Sequence, residues 1–267
     1  MQMITSADGT PIAVEQAGSG PAVVLLGGAF NDRSTVAGLA EALSGDFTAY
    51  WYDRRGRGDS GDTPPYAVER EVEDLAAVVT HAGGTAHVVG HSSGAILALE
   101  AAASGVPIDR LAAYEPAWVA GVARPRPGAD LVDRITELVA AGRRSDAAAL
   151  FLTEAVGVPA PVVEMMKGSP DWAGMQRLAH TLPYDVAVCG RGQAVPVERL
   201  ATVRVPTLVV DGDASSADMR AAAAAAAAAV PGARYETLPG QDHAVLQHPE
   251  ALAPLLRSFL AGTVSRG

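Results

Sequence analysis

Cysteine is almost absent from this chain: Cys189 stands alone, so no disulfide can form within it, and a reducing compartment is the natural setting. Long apolar runs are missing as well; none approaches the roughly 20 residues that cross a bilayer. The amino terminus, Met1-Gln2-Met3-Ile4-Thr5, has neither the basic region nor the apolar stretch of a signal peptide. A cytoplasmic location is therefore expected. Positive charge is in short supply too. A formal net charge of −10 repels nucleic acid and anionic membrane surfaces alike. No His, Cys, Asp and Glu residues recur at metal-ligand spacing, and Gly27-Gly28 does not extend into the G-x-G-x-x-G fingerprint of a dinucleotide site. The expected partner is a small molecule, with no metal and no cofactor, and the chain is expected to act as a monomer or homodimer.

What is present is a core-forming composition. About half of the 267 residues are apolar and 19% are charged, which suits one large domain with room for an insertion. Gln2 to Ser6 and Pro11 to Gln16, separated by Asp8-Gly9, read as a hairpin. Ala22-Val23-Val24-Leu25-Leu26 is an uninterrupted apolar run of the kind found in buried parallel strands. Helix-like and strand-like stretches then alternate: a helix to about Leu43, strand Phe47 to Tyr52, helix Val68 to His81, strand Ala86 to Val89, helix Ser93 to Ser104 and strand Arg110 to Tyr114. Repeated strand-then-helix units imply a mostly parallel sheet covered by helices on both faces, an α/β fold. The rhythm stops near Trp118 and resumes at Thr207-Leu208-Val209-Val210. The expected organisation is a first core part over 1–117, a helical cap over 118–198 and a second core part over 199–267. The nine-alanine run from Ala221 to Ala229, ending at Pro231-Gly232, reads as a plain helix.

Gly90-His91-Ser92-Ser93-Gly94 joins the strand ending at Val89 to the helix that follows. A serine on so sharp a strand-to-helix turn has a strained backbone, and glycines two positions to either side leave room for the bend. Its hydroxyl then stands clear of the sheet, and the Ser93 amide, at a helix N-terminus, is free to stabilise an oxyanion. A serine hydroxyl needs a base, and six histidines are available. His81, His87, His91 and His248 fall in or beside helices, strands or the nucleophile turn, where structural roles are expected. His180 lies in the cap, where it is a candidate substrate contact. His243 stands on a loop between the last strand and the last helix.

These features resemble the α/β-hydrolase superfamily over nearly the whole chain outside the cap. Leu25-Leu26-Gly27-Gly28-Ala29-Phe30 is similar to the family's oxyanion turn, with Gly27 where histidine usually stands. The resemblance implies that the Ala29 amide is the second oxyanion donor beside that of Ser93. Asp53-Arg54-Arg55-Gly56-Arg57-Gly58-Asp59-Ser60 is similar to the family's Asp-x-Arg-Gly-x-Gly-x-Ser loop, read here as a tight turn held by Arg–Asp pairing. The loop carrying His243 is where the family carries its base.

The acid that would orient His243 has two candidates. The family position falls on Ser215, which cannot act as an anion; Asp213, two residues earlier, and Glu115, at the end of the strand after the nucleophile helix, are the alternatives. The implied activity is hydrolysis of an ester or related acyl bond through an acyl-enzyme on Ser92, with His243 as general base. Phe30, Trp118, Trp172, Met175 and His180 are the expected substrate contacts. Met165, Met166, Leu178 and Leu182 would extend an apolar pocket, although packing of the cap onto the core is the plainer and favoured explanation. A cofactor-free lyase, cyclase or haloperoxidase-like enzyme on the same scaffold is the competing expectation, and a non-catalytic ligand-binding protein the third.

Overall fold

The computed structural model describes residues 1–120 and 125–262. Residues 121–124 of the expected cap and 263–267 of the expected second core part lie outside the described residues. The hairpin strands are β1 (Gln2–Thr5) and β2 (Pro11–Gly18). They are followed by β3 (Ala22–Leu26), α1 (Arg33–Leu43), β4 (Thr48–Tyr52), α2 (Val68–His81), β5 (Ala86–His91), α3 (Ser93–Ala103) and β6 (Ile108–Tyr114). After a helical segment come β7 (Thr207–Gly212), α10 (Ala217–Ala229), β8 (Arg234–Leu238) and α11 (Pro249–Leu260). The helices between β6 and β7 are α4 (Leu131–Ala140), α5 (Arg144–Leu150), α6 (Ala160–Met166), α7 (Trp172–Leu178), α8 (Leu182–Cys189) and α9 (Val197–Leu200). No strand occurs there among the described residues.

The eight strands form one sheet in the order β1-β2-β4-β3-β5-β6-β7-β8. Only β2 runs against its neighbours; the pairs from β4 to β8 are parallel. Alternation along each strand divides the core between two faces. Val24 and Leu26 of β3 face α2, α3 and α10, whereas Val23 and Leu25 face α1 and α11. The alanine run forms α10, its N-terminus capped by Ser216, whose Oγ accepts from the Met219 amide. Ala222, Ala223, Ala226 and Ala227 of that helix are buried. Among the described residues no helix is long and apolar enough to cross a membrane.

The helices between β6 and β7 have a core of their own, made by Leu131, Ile135, Phe151, Leu152, Val163, Trp172 and Leu182 among others. Helix α8 belongs to both bodies: Val186 packs in that cluster, while Val188 and Cys189 pack in the main core.

The Asp-x-Arg-Gly loop is a turn held by ion pairs. Arg55 is fully buried and forms a two-pronged bond with Asp74 on α2, Nε to Oδ2 at 2.7 Å and Nη2 to Oδ1 at 2.8 Å. Asp53 receives the Asp59 amide and both the amide and a guanidinium nitrogen of Arg33. Such pairs are held by geometry rather than by net Coulombic gain, and removing one partner leaves a buried charge short of acceptors; without Asp74, Arg55 would keep Asp8 Oδ2 at 3.0 Å and the Arg70 carbonyl at 3.1 Å. Asp74→Ala is accordingly expected to lower unfolding stability by about 3 kcal/mol, measured by urea denaturation; a loss under about 1 kcal/mol would mean that Asp8 alone is a sufficient counterion for Arg55.

Candidate active site

Ser92 ends β5 at φ 60° and ψ −126°, a conformation costly for any residue with a side chain. The surrounding glycines explain how it is tolerated. A methyl group at Gly28 would lie 2.5 Å from Ser92 Cβ, and one at Gly94 would lie 2.5 Å from the Gly27 carbonyl oxygen. One at Gly90 would collide with the Gly94 carbonyl. Only hydrogen fits at these three positions, so the turn after β3, the end of β5 and the first turn of α3 touch backbone to backbone. The Ser92 amide donates to the Tyr114 carbonyl at 3.0 Å, anchoring the bend on β6. In the turn after β3, Asn31 Oδ1 accepts the Gly28 amide at 2.9 Å, and the Asn31 amide returns to the Gly28 carbonyl at 3.3 Å.

His243 is brought to the same cleft by the loop after β8. Three bonds fix that loop's backbone: His91 Nε2 donates to the His243 carbonyl at 2.8 Å, Tyr114 Oη to the Asp242 carbonyl at 2.8 Å, and the Ala214 amide to the Gln241 carbonyl at 3.0 Å. Gly212 makes this docking possible, because a side chain there would occupy the Gln241 carbonyl. The His243 ring bonds through Nδ1 to Glu115 Oε2 at 2.7 Å.

Glu115 is wholly buried and has φ 43°, which turns it off the end of β6 toward the histidine loop. Its other oxygen, Oε1, accepts the Gly212 amide at 3.0 Å and Ser215 Oγ at 2.5 Å. Three donors thus surround this buried carboxylate: the Gly212 amide, the Ser215 hydroxyl and the His243 ring. Asp213 is not in this arrangement. It is exposed and its Oδ1 accepts the Gly240 amide at 2.6 Å, so it closes the turn after β8 instead. Ser215, where an acid was to be looked for, serves as a donor to the acid that came from β6.

The cleft has a volume of about 1610 Å³. Ser92, His243, Ala29, Phe30, Trp118 and Met175 line it. Two of the expected substrate contacts lie elsewhere. Trp172 is buried in the core of the helical segment, its Nε1 donating to Ser145 Oγ at 3.0 Å. His180 is occupied on both ring nitrogens, by the Arg177 carbonyl at 3.0 Å and by the Gly56 carbonyl at 2.7 Å, so it ties this segment to the Arg-Gly loop. Leu178 and Leu182 are buried away from the cleft, and Met165 points to solvent. The amphipathic pattern that suggested a pocket is mostly helix packing. Among the described residues no group of three or more His, Cys, Asp or Glu side chains is placed to hold a metal ion.

The sequence reading missed three residues. Asn31 and Ser215 orient the turns just described, and Asp185, fully buried on α8, accepts Ser93 Oγ at 2.6 Å. Asp185 had a visible signal: it precedes the apolar stretch Val186-Ala187-Val188-Cys189, where an unpaired carboxylate would not be tolerated.

A model of the alpha/beta hydrolase family matches residues 23–255. The chain belongs to the alpha/beta hydrolase family. It is 30% identical over 265 residues to the 2-(acetamidomethylene)succinate hydrolase of Mesorhizobium japonicum, covering 92% of this chain and 90% of that protein. A shorter stretch of 103 residues, 37% of this chain and 38% of its counterpart, is 36% identical to the N-formylmaleamate deformylase of Pseudomonas putida. Among solved structures, an alpha/beta hydrolase of Sphaerobacter thermophilus superposes with a TM-score of 0.90 at 54% identity, covering 97% of this chain and 99% of that one. The hydrolase fold and a hydrolytic family are thus in hand.

His91, between Gly90 and Ser92, is buried. Burial first, and the neighbouring His243 second, push its pKa down to about 3, against which the bond to the His243 carbonyl works. The unfolded chain takes up a proton here near pH 6.5, whereas the folded chain does not until about pH 3. Stability from this group is therefore complete above pH 6.5 and declines as the pH falls below it. His91→Gln, whose amide can keep the bond to the His243 carbonyl, should show a smaller fall in melting temperature between pH 7 and pH 4 than the native protein. Equal slopes would place the acid sensitivity elsewhere.

Proposed function

We propose that the protein is a serine hydrolase that cleaves an ester or amide acyl bond of a small molecule through an acyl-enzyme on Ser92. The observation that carries this reading is the bond between His243 Nδ1 and the buried Glu115. An imidazole that must accept a proton in the transition state needs its tautomer fixed and its developing charge balanced. With Glu115 on Nδ1, the proton resides there and Nε2 is the basic nitrogen, available to Ser92. Ser92 would attack the acyl carbon as its proton passes to His243. The same proton would then go to the leaving alcohol or amine, and water activated by His243 would release the acid. The amides of Ala29 and Ser93 would stabilise the tetrahedral oxyanion, each donor typically worth a few kcal/mol of barrier.

The relative from Mesorhizobium japonicum is named for a substrate with an acetamido group, which supports extending the bond class from esters to amides. The helical segment over 118–198 would serve as a cap. Its cleft exceeds the roughly 300–1,000 Å³ of ordinary small-molecule sites, so a substrate would fill only the part nearest Ser92. There Phe30, Trp118 and Met175 offer apolar contacts.

Fluorophosphonate labelling with peptide mapping tests the nucleophile. The adduct is expected on Ser92, lost in Ser92→Ala and still on Ser92, though formed more slowly, in Ser93→Ala; an adduct on Ser93, or on no serine, would sink the assignment. Turnover of acyl nitrophenyl esters tests the acid. Glu115→Gln is expected to lower kcat by about 10⁴-fold, as loss of the orienting carboxylate does elsewhere, while Asp213→Asn stays near normal. The reverse order would return the role to Asp213. Met175→Ala should change the ratio of short to long acyl turnover, a test of the cap's contribution that an equal fall for all chain lengths would contradict.

A further inference from the structure

The two proposed oxyanion donors are held from behind in different ways: the Ala29 amide through the carbonyl of its own peptide, and Ser93 through its side-chain hydroxyl. The Gly28 carbonyl and the Ala29 amide are two ends of one planar trans peptide and point in opposite directions. Arg57 Nη1 donates to the Gly28 carbonyl at 2.5 Å and to the Asn31 carbonyl at 3.2 Å. Fixing the carbonyl in this way fixes where the Ala29 N–H points, and a donor on the oxygen polarises the N–H at the other end. Arg54 Nη1 reaches the Gly27 carbonyl at 3.5 Å and Ser93 Oγ at 3.1 Å.

Both arginines and Ser93 converge on one carboxylate. Asp185 Oδ1 accepts Ser93 Oγ at 2.6 Å, Arg54 Nη1 at 2.9 Å and Arg57 Nη2 at 2.8 Å, and its Oδ2 accepts Arg57 Nη2 at 2.9 Å. Arg54 is balanced on its other edge by Glu71. All four charged side chains are buried, and two cations face two anions. Burial pushes the Asp185 carboxyl upward, but Arg57, Arg54 and the Ser93 hydroxyl together hold it below the usual carboxylate range. It is therefore an anion at neutral pH.

We propose that Asp185 is a positioning residue for the oxyanion hole: a single carboxylate on cap helix α8 sets the Ala29 amide through Arg57 and the Ser93 amide through the Ser93 hydroxyl. It touches neither substrate nor reacting atoms. The proposal rests on the serine-hydrolase reading above, and it makes docking of α8 a condition for an assembled hole. Displacement of α8 would release both donor units together.

The test uses Asp185→Asn and, because that variant disturbs a buried charge, Arg57→Lys, which keeps the charge but lacks the fork that spans the Gly28 carbonyl and Asp185. For variants folded by circular dichroism, kcat on a nitrophenyl ester should fall about 10- to 100-fold, less than or comparable with deletion of a whole oxyanion donor, with KM within about threefold. The rate constant for fluorophosphonate labelling of Ser92 should fall in parallel. A readout that a merely structural role leaves unmoved is the ratio of kcat/KM for an ester and its thiono counterpart, since sulfur is a poor acceptor for the hole. The ratio should shrink in both variants. Folded variants with native kcat and a native ratio would overturn the proposal, as would a raised KM at unchanged kcat, which would make Asp185 part of the cap's substrate contacts. Absence of Ser92 labelling in the native protein would instead overturn the serine-hydrolase reading itself.

Discussion

Ser92 occupies a backbone conformation that no side-chain-bearing residue adopts unaided, and much of the molecule can be understood as what holds it there. The strain is local, but its support is not. The hydrogen-only contacts of Gly28, Gly90 and Gly94 bring three backbone segments to within touching distance. The parallel order that puts β5 between β3 and β6 supplies the Leu26 and Tyr114 ends on which the turn rests. A sheet with a different strand order would bring another loop against β5, and neither the turn after β3 nor the end of β6 would be beside the serine. The order of the strands therefore matters to chemistry more than their length does.

The same end of the sheet concentrates buried charge. Arg54, Arg55, Arg57, Asp53, Glu71, Asp74, Glu115 and Asp185 are all nearly or wholly inaccessible to solvent, in a chain whose surface must carry the excess of acidic groups. Buried ion pairs contribute little net stability against an apolar equivalent, so their abundance here is better explained by what they fix. Carbonyls and carboxylates are directional acceptors, and a guanidinium fork engages two of them at a set angle. Arg57 fixes the turn after β3 through the Gly28 and Asn31 carbonyls, Arg55 fixes the loop to α2, and Arg54 joins both to α8. Apolar packing could fill this space, but it would leave peptide planes free to rotate.

Much of this was legible in the residues. Strand Ala22–Leu26 and helix Val68–His81 are visible as an apolar run and an amphipathic period, and the structure places both at those bounds. The turn at Gly90-His91-Ser92-Ser93-Gly94 announces itself because glycine spacing and a strand-to-helix change coincide. What stayed hidden depends on side-chain direction across long separations. Trp172 and Leu182 have the composition of a ligand pocket and of a helix core alike, and only the packing of α7 and α8 decides that both turn into the core of the helical segment. His180 looks like a polar residue aimed at substrate until the Gly56 carbonyl, 124 residues away, is found on its ring.

The choice between Asp213 and Glu115 was hidden for the same reason, and its outcome follows from strand-end geometry. Asp213 extends one step beyond β7, where the amide of Gly240 meets it and the turn after β8 claims its carboxylate. Glu115 begins one strand further back, on β6, and must cross toward the histidine loop. Three features let it do so: a positive φ that swings the side chain off the strand axis, one methylene more than aspartate, and an opening at Gly212, whose amide it takes. A carboxylate brought that far into the interior needs donors on its free oxygen, and Ser215 provides one from the position an acid would otherwise occupy. An aspartate at 215 would set two anions against each other beside one histidine, which like-charge repulsion disfavours. Serine at 215 and glutamate at 115 are thus one solution rather than two independent choices: each residue makes sense only in the presence of the other.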